Sequence, residues 1–395
     1  MEPMLPQLAR AEMAEISVRI IAKSGELKAS LPSKIVRAEV AKQVREMNSY
    51  YSNLIEGHKT LPRDIERALK GGFAEDVAVR HNQQLSLAHI MAEKAMRLRL
   101  IQEPELNVYS EVFVRWLHQK FYSHVPADLW FTTSKSGKRY PLIPGEFRDY
   151  NVDVGKHVPP DFPVLDRFFA RFDSVYSSDR ILATERLIAI AAAHHRFAWI
   201  HPFGDGNGRV ARLQSQAALI RCGLDDEGLW TLSRGLARSR ANYYSYLEAA
   251  DESRMGDLDG RGNLSDRMLA KFCIFFMNQI LDQIEFMISL IEPSSLQSRI
   301  HNYLRYNRVD IEPKLREHLV NLLDVLCIKG EIARGEVSGI VGLKSTAARA
   351  VIRSALKADL VSSPNEKGAL RINFPADTIE AYFPRLFTDL PVDKN

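Results

Sequence analysis

The sequence predicts a mainly α-helical protein with a small β-hairpin near its middle and a winged helix-turn-helix module at its C-terminal end. Three observations predict this fold class. Apolar residues recur at helical spacing along most of the 395 residues. The segment 131–163 has few helix formers and many turn residues, which favours a hairpin. After Pro313 the pattern runs helix, turn, helix and strand, which is the order of a helix-turn-helix with a wing.

Composition limits the classes of protein that this chain can belong to. The length suggests two or three domains of about 150 residues each. Hydrophobic residues make up 46% and charged residues 26%, which excludes a wholly disordered chain. The formal net charge of +4 permits a local basic patch without implying nucleic acid. The widely spaced Cys222, Cys273 and Cys327 do not suggest a zinc site and favour a reduced compartment.

The sequence also indicates where the protein resides. The first sixteen residues carry acids early and lack an apolar run of signal-peptide length. Polar residues interrupt apolar helices such as Leu187–Ile200 before the roughly 18 residues that a membrane span needs. We therefore expect a cytoplasmic protein with no membrane partner.

Caps and breakers define the predicted helices of the N-terminal half. Ser33 caps a long helix that runs to about Glu56, and Gly57 stands where a C-terminal glycine belongs. Three more amphipathic segments follow before the turn-rich region: Asp64–Leu69, Asp76–Leu100 and Ser110–Ser123. Within the turn-rich region, Val152-Asp153-Val154 alternates before Gly155, as in a short strand.

Helical patterns resume at Val164 and continue to about Ile291. The polar, glycine-bearing segment Asp251–Asp266 interrupts them as a loop. The predicted elements of the C-terminal module are the helices Lys314–Ile328, Gly335–Val341 and Ser345–Leu360 and the strand Ala369–Phe374. Turns at Gly330 and Gly342 separate them.

The most informative stretch is HPFGDGNGRVAR, from His201 to Arg212. An alanine-rich helix, about Glu185–Ile200, precedes it, and a second helix that ends near Cys222 follows. Its three glycines at alternate positions allow the backbone to approach a ligand closely. Free N–H groups at the start of the second helix, together with the helix dipole, form an anion site.

The side chains of this stretch point to polyphosphate chemistry. Arg209 and Arg212, three residues apart, can offer forked donors to phosphate oxygens. Asp205 supplies an oxygen ligand suited to Mg²⁺, and Asn207 can donate its amide to a phosphate. His201 can accept a proton near neutral pH. The glycines alone could form a surface turn, but this combination favours group transfer from a polyphosphate.

Other phosphate loops do not fit the pattern. Gly342-Leu343-Lys344-Ser345 has a leucine where a Walker loop needs Gly-Lys. A dinucleotide fingerprint follows a strand, whereas a helix precedes His201.

The stretch from His201 to Arg212 resembles the HxFx(D/E)GNGRxxR signature of the Fic (Fic/Doc) family and matches every defined position. The upstream segments Ala192–Pro202 and Pro144–Arg148 also look like this family. The resemblance covers roughly Ser110–Ala241. It implies a helical enzyme that transfers AMP from ATP to a Ser, Thr or Tyr hydroxyl of a target protein and releases pyrophosphate.

The resemblance assigns roles by position. His201 would deprotonate the hydroxyl, and Asp205 would hold Mg²⁺ on the ATP phosphates. The nucleotide-binding residues would be Phe203, Gly206, Asn207, Gly208, Arg209 and Arg212. The residues of a flap that clamps the target backbone would be Val152, Asp153, Val154 and Gly155.

The resemblance also implies a domain order. A helical region at 1–109 would carry an inhibitory helix, and the Fic catalytic core would occupy 110–245. A helical linker region would follow at 246–305, and the winged-helix domain would occupy 306–395.

The inhibitory helix is inferred from its C-terminal end. Ser52 and Glu56 are four residues apart and share a helix face, and Gly57 follows them. They look like the (S/T)xxxE(G/N) motif, whose glutamate pairs with the second motif arginine, here Arg212. The pair would exclude ATP from its productive pose. An ordinary helix end with a glycine cap is the alternative interpretation.

Several alternatives stay open. Relatives of this type remove AMP or transfer UMP, phosphate or phosphocholine. A second class is a DNA-binding regulator with a nucleotide-sensing core, since Arg349, Arg353 and Lys357 form a basic stripe in the C-terminal module. Self-association and self-modification, at Tyr50 or Tyr51, are further options, although these tyrosines are better explained as buried aromatics. His194 and His195 are interpreted as packing residues.

Overall fold

The computed structural model describes residues 1–31, 33–133, 137–225 and 227–388. The helices in this part of the chain are α1 (Arg10–Ser30), α2 (Lys34–Ile55), α3 (Pro62–Leu69), α4 (Val77–Gln102), α5 (Glu111–Tyr122), α6 (Leu165–Tyr176), α7 (Arg186–Ile200), α8 (Asn207–Arg221), α9 (Leu232–Arg238), α10 (Arg240–Ala250), α11 (Asp266–Ile291), α12 (Pro293–Asn302), α13 (Pro313–Lys329), α14 (Val337–Val341), α15 (Ser345–Lys357) and α16 (Ile379–Tyr382). The strands are β1 (Phe131–Thr133), β2 (Arg139–Pro141), β3 (Glu331–Ile332), β4 (Val361–Ser362) and β5 (Leu370–Ile372). The mainly helical prediction is confirmed.

The predicted helix starts agree with the structure because their caps form. The side chain of Asp76 accepts a hydrogen bond from the backbone N–H of Val79 at 2.9 Å. Ser110 caps α5 in the same way, and Ser33 caps α2. Two helices are shorter than predicted: α14 begins at Val337 instead of Gly335, after a 3-10 turn, and α15 ends at Lys357 instead of Leu360. Asp359 adopts a left-handed φ of 55° there, which an α-helix cannot continue.

The predicted hairpin is formed by β1 and β2. These strands lie upstream of Val152–Gly155, the residues from which the hairpin was partly inferred. Strands β1 and β2 pair antiparallel, with Thr132 opposite Tyr140. The alternating segment around Val152–Gly155 forms a turn closed by a single bridge between Val154 and His157. The strand expected there is therefore wrong, because Asp153 and Val154 are exposed and have no apolar face to bury.

The centre of the fold is the antiparallel pair of α7 and α8. Every residue from Leu187 to Phe197 is buried. Ala191, Ala192 and Ala193 are fully buried, and such small side chains let neighbouring helices approach closely. α11 packs across α7, α1 packs along α11, and α2 lies against α4, α8 and α9. The pair therefore holds its connecting loop, residues 201–206, in a fixed place.

The C-terminal module consists of α13, α14, α15 and a three-stranded sheet in the order β3-β5-β4, antiparallel throughout. The sequence pattern missed β3 and β4 because each spans two residues. Its assignment as a winged helix stays a prediction, as do the bounds of the four predicted domains. Residues 389–395 of the predicted 306–395 domain lie outside the described residues.

Contrary to the expectation drawn from Leu187–Ile200, one helix among the described residues is long and apolar enough to cross a membrane by length and composition. This is α11, and more than half of its apolar window is buried inside the structure. Core helices pass the same test, so a single helix of this kind is weak evidence of a membrane span.

A buried polar cluster joins three elements behind the central loop. Arg97 on α4 pairs with Glu93 at 2.9 Å and with Asp225 at 2.7 Å, and both carboxylates are almost fully buried. Asn48 on α2 donates to Glu93 at 2.7 Å. Gln216 on α8 donates to Asp225 at 3.2 Å. The cluster fixes α2 relative to α4 and α8 through bonds that water cannot replace.

This cluster generates a stability prediction. We expect Arg97→Ala to lower the free energy of unfolding by about 3–5 kcal/mol, because it removes the guanidinium that pairs with two buried carboxylates. Lys70→Ala, which breaks the exposed pair with Glu66, should cost less than about 1 kcal/mol. Urea unfolding followed by circular dichroism measures both, and equal losses would contradict the assignment.

Candidate active site

The loop between α7 and α8 is shaped by two left-handed residues. His201 ends α7 with φ 48°, and Gly206 precedes α8 with φ 80°. Asn207 closes the loop: its side-chain oxygen accepts from the N–H of Phe203 at 2.9 Å, and its amide donates to the carbonyl of Phe203 at 2.8 Å. In this structure Asn207 therefore holds the loop, and one amide hydrogen remains for another acceptor.

An aromatic stack holds the loop against α5. The fully buried ring of Phe203 stacks on His118 of α5 with centroids 3.9 Å apart. His118 Nδ1 accepts from the N–H of Gly145 at 2.8 Å, so its Nε2 carries the proton and donates to the carbonyl of Asp205 at 3.2 Å. Burial lowers the pKa of His118 to about 3, which keeps the ring in this neutral form.

Asp205 lies in the loop between α7 and α8, and its side chain is half exposed. The hydroxyl of Tyr122 donates to its carboxylate at 2.5 Å, and Arg209 donates at 3.0 Å. Desolvation opposes the ionised form, but the charge of Arg209 and these hydrogen bonds outweigh it and lower the pKa of Asp205. Asp205 is therefore an anionic oxygen donor at neutral pH.

His201 is a neutral imidazole at physiological pH. Burial, followed by the positive charge of Arg148, lowers its pKa to about 4. A neutral imidazole carries one protonated and one unprotonated ring nitrogen, and the unprotonated nitrogen can accept a proton. The chemistry of a general base is thus present at the end of α7.

The two arginines of α8 are in different states. Arg209 is almost fully buried, and its Nε and Nη1 have no hydrogen-bond partner. Its guanidinium lies over the ring of Phe121, 4.9 Å from the centroid. Arg212, whose side chain is 2% exposed, is engaged by α2. Arg209 therefore has donors ready for an added anion, whereas Arg212 is already bound.

The end of α2 supplies the partners of Arg212. Its Nε donates to Ser52 Oγ at 3.0 Å, and its Nη2 donates to the Ser52 carbonyl at 2.8 Å and to Glu56 Oε1 at 2.7 Å. A methyl group on Gly208 would lie 2.2 Å from the same Glu56 oxygen. The carboxylate thus sits against the first turn of α8, where an anion is favoured by the helix dipole.

Gly57 and two residues of α10 set this position. Gly57 has φ 87° and ends α2 directly after Glu56. The carbonyl of Ile55 accepts from Arg240 at 3.0 Å and from Tyr244 at 3.1 Å. The structure therefore brings Ser52, Glu56 and Gly57 to the loop.

The predicted flap residues are close in sequence to the loop but mostly exposed. Gly155, with φ 61°, forms the turn. Arg148 ties the segment to the loop: it donates to the carbonyls of His201 at 2.9 Å, of Tyr150 at 2.9 Å and of Pro160 at 2.5 Å. The ring of Tyr150 stacks on Tyr140 of β2 with centroids 4.1 Å apart, which connects the hairpin to this segment.

Sequence reasoning assigned no role to His118, Tyr122 and Arg148. A signal was available for the first two, since they lie one helical turn apart on the buried side of the predicted segment Ser110–Ser123. No residue spacing in the sequence indicates the contacts of Arg148, because all of its hydrogen-bond partners are backbone carbonyls.

Four aromatic residues behave as the sequence suggested. The imidazole of His194 bonds to Ser215 at 2.8 Å and to Tyr243 at 2.7 Å inside the core, and His195 is buried beside it. Tyr50 and Tyr51 are buried as expected.

The site fits Mg²⁺ only as an ion that is shared with a phosphate. Within the described residues no three His, Cys, Asp or Glu side chains cluster as a metal cage. Mg²⁺ is commonly held by one or two carboxylates together with waters and substrate phosphates. The half-exposed carboxylate of Asp205 is such a ligand.

Comparison with known proteins agrees with this geometry. Residues 109–219 match the model of the Fic/DOC family. A protein of Drosophila erecta named Protein adenylyltransferase Fic is 29% identical over 205 residues, 51% of this chain and 36% of that protein. A protein of the same name from Nematostella vectensis is 28% identical over 225 residues, 56% of this chain and 46% of that protein. The chain thus spans less than half the length of these relatives.

Solved structures share the fold. A Fic family protein from Desulfovibrio desulfuricans G20 aligns over 91% of this chain and 97% of its own, with a TM-score of 0.52 at 14% identity. Fic-1 from C. elegans aligns over 74% of this chain and 75% of its own, with a TM-score of 0.54 at 17% identity. The family match thus assigns residues 109–219 to a Fic/DOC family domain, and the solved structures show that the fold is shared.

Proposed function

We propose that this chain is a protein adenylyltransferase that moves AMP from ATP to a Ser, Thr or Tyr hydroxyl of a target protein. One observation carries the proposal: Glu56 fills an anion site made by Gly208 and Arg212, beside an Arg209 with unpartnered buried donors. Two partly similar relatives are named protein adenylyltransferases, which supports the same activity.

The chemistry follows from the positions of the side chains. The neutral ring nitrogen of His201 takes the proton of the target hydroxyl, whose oxygen then bonds to the α-phosphorus of ATP. The bond from that phosphorus to the bridging oxygen breaks, and pyrophosphate leaves. Arg209 and the first N–H groups of α8, around Gly206 and Gly208, stabilise the developing charge. Asp205 would hold Mg²⁺, which neutralises phosphate charge.

Autoinhibition by Glu56 is part of the proposal. A terminal phosphate and the Glu56 carboxylate compete for Arg212 and for the same helix N-terminus, and two anions cannot share it. The Ser52 hydroxyl and carbonyl hold the guanidinium toward α2, which favours the inhibited arrangement. Movement of α2 away from α8 would expose the phosphate site.

Two alternatives within the enzyme class use the same residues. Glu56 could position a water for AMP removal, or another nucleotide could serve as donor. A regulator that senses nucleotide and acts through the C-terminal module is the alternative from a different class. The variant His201→Ala distinguishes an enzyme from such a regulator. It abolishes the biological effect of an enzyme and leaves that of a nucleotide sensor unchanged.

The first prediction from the proposed function concerns Glu56→Gly. We expect AMP transfer to rise about 10- to 100-fold, since a hydrogen bond to a charged group contributes roughly 1.5–3 kcal/mol. The measurement is label incorporated from ATP carrying a labelled α-phosphate, with Mg²⁺ and cell lysate. Glu103→Gly at the end of α4, whose carboxylate pairs with Arg99, is the matched control and should match wild type.

Adding His201→Ala to Glu56→Gly should return the label to background. Equal labelling by wild type and Glu56→Gly would refute the inhibition. Transfer of a γ-label in place of the α-label would refute AMP transfer.

The second prediction concerns pH. Because the pKa of His201 is lowered to about 4, the neutral base persists at all pH values well above 4. We expect kcat/KM of Glu56→Gly, measured with excess Mg²⁺, to stay level from pH 8 down to about pH 5. The lowered pKa of Asp205 adds no loss in this range. A fall centred near pH 6.5 would contradict the environment described for His201.

A further inference from the structure

The exposed face of α15 is the most basic helical surface among the residues described for the C-terminal module. Arg349, Arg353 and Lys357 recur every four residues along it and are exposed. No acid occurs from Lys344 to Lys357. Neither Arg349 nor Arg353 forms an ion pair or hydrogen bond with a described residue. An ordinary solvated helix face mixes both signs of charge, so this face is built for a polyanion.

The helix is held rigidly behind this face. Its buried side chains are Ala348, Val351, Ile352 and Ala355. Gly342, with φ 67°, makes the tight turn from α14 into α15. The β4–β5 turn beside it is fixed by Arg334, which donates to the carbonyl of Gly368 at 2.9 Å and to Ser363 Oγ at 3.3 Å. The basic side chains therefore project from a preorganised surface.

Small residues on the same face allow close approach. Ala350 lies between the two arginines, and Ser345 and Thr346 begin the helix; all three are exposed. Their side chains can reach base edges or phosphates while the arginines contact the backbone on either side. A single α-helix fits the major groove of B-form DNA, which is about 12 Å wide, whereas the major groove of duplex RNA is too narrow to admit one.

We propose that the C-terminal module binds duplex DNA, with α15 in the major groove and Arg349, Arg353 and Lys357 on the phosphates. The proposal is independent of AMP transfer. It accounts for a basic face that the chemistry of the Fic/DOC domain does not use.

The test is fluorescence anisotropy of a random 25-base-pair duplex with the full chain at several KCl concentrations. We expect Arg349→Ala/Arg353→Ala to weaken binding at least about tenfold and to lower the salt slope by about two, since each phosphate contact contributes about 0.9. The control is Arg267→Ala/Lys271→Ala, which removes two exposed charges at the same spacing on α11 and should bind like wild type.

Absence of binding at 50 mM KCl, or equal losses in both double variants, would overturn the proposal. Tighter binding of duplex RNA than of duplex DNA would also overturn it, and so would binding of a protein partner that the arginine variant abolishes while DNA binding is unchanged.

A second and independent observation concerns residues 385–388, here called the C-terminal strap. The strap contacts α2 at Tyr50 and Tyr51, which directly precede Ser52. The N–H of Thr388 donates to the hydroxyl of Tyr51 at 2.7 Å, and the hydroxyl of Tyr50 donates to the carbonyl of Thr388 at 3.3 Å. The rings of Tyr50 and Phe387 are in edge contact at 5.7 Å.

The strap is itself anchored to the core. The guanidinium of Arg234 donates to the carbonyl of Arg385 at 3.0 Å and lies 3.5 Å from the ring centroid of Phe286 on α11. The N-terminal half of α2 meets the same C-terminal module, where Gln43 donates to the carbonyl of Phe374 at 3.0 Å. Contacts from the C-terminal part of the chain therefore reach α2 both near its middle, at Gln43, and at the turn that carries Ser52.

We infer that the strap holds α2 in the position from which Glu56 reaches Arg212, so that loss of the strap contacts releases the site. This inference rests on the proposed function. Thr388→Pro removes the N–H donor to Tyr51, and Tyr51→Phe removes the acceptor while keeping the buried ring. Tyr303→Phe, which loses a hydroxyl bond to Asp377 in the same module, is the control.

We expect Thr388→Pro and Tyr51→Phe each to raise AMP labelling several-fold, and Tyr303→Phe to leave it unchanged. In a Glu56→Gly background neither strap variant should add to the labelling, because the inhibitor is already gone. If AMP labelling rises with Glu56→Gly but with neither strap variant, the inference about the strap is overturned and the proposed inhibition by Glu56 is not. A further rise in that background would mean that the strap acts elsewhere. No rise with Glu56→Gly would refute the inhibition itself.

Discussion

The guanidinium of Arg212 is buried, and a buried cation must be paired or it destabilises the fold. Its partners come from the last turn of α2: the hydroxyl and carbonyl of Ser52 and the carboxylate of Glu56. This requirement links α2 to α8, and the start of α8 is one side of the loop that carries His201. The end of α2 thus places a protein carboxylate beside the first turn of α8, next to the loop.

Contacts on both sides of this ion pair hold α2 in place relative to α8. The cluster of Glu93, Arg97 and Asp225 lies behind it and bonds to Asn48 of α2 and Gln216 of α8. On the other side, Arg240 and Tyr244 hold the carbonyl of Ile55. Because most of these contacts are buried, they are electrostatically stronger than the same contacts in water, and together they fix the end of α2 relative to α8.

In the loop, the local sequence sets the spacing of the functional residues, and long-range packing sets their contacts. The spacing of His201, Asp205, Arg209 and Arg212 follows from a helix end, a six-residue loop and a helix start, so the sequence was sufficient to place them together. Their states were not predictable from that spacing. His118 and Tyr122 hold Asp205 from α5, and Arg148 holds the loop backbone from the turn-rich segment. Contacts of this kind depend on which helices pack together.

The sequence by itself determined the helices, because their caps and their 3.6-residue periodicity are local properties. It also determined the order of the three helices and the last strand of the C-terminal module, and the composition of the motif. Only the tertiary structure decided that the hairpin lies at Phe131–Pro141 and not at Val152–Gly155, that Arg209 keeps free donors while Arg212 is bound, and that residues 385–388 cross α2. Short strands, buried charges and distant contacts take their free energy from partners far away in the chain, and no local pattern records those partners.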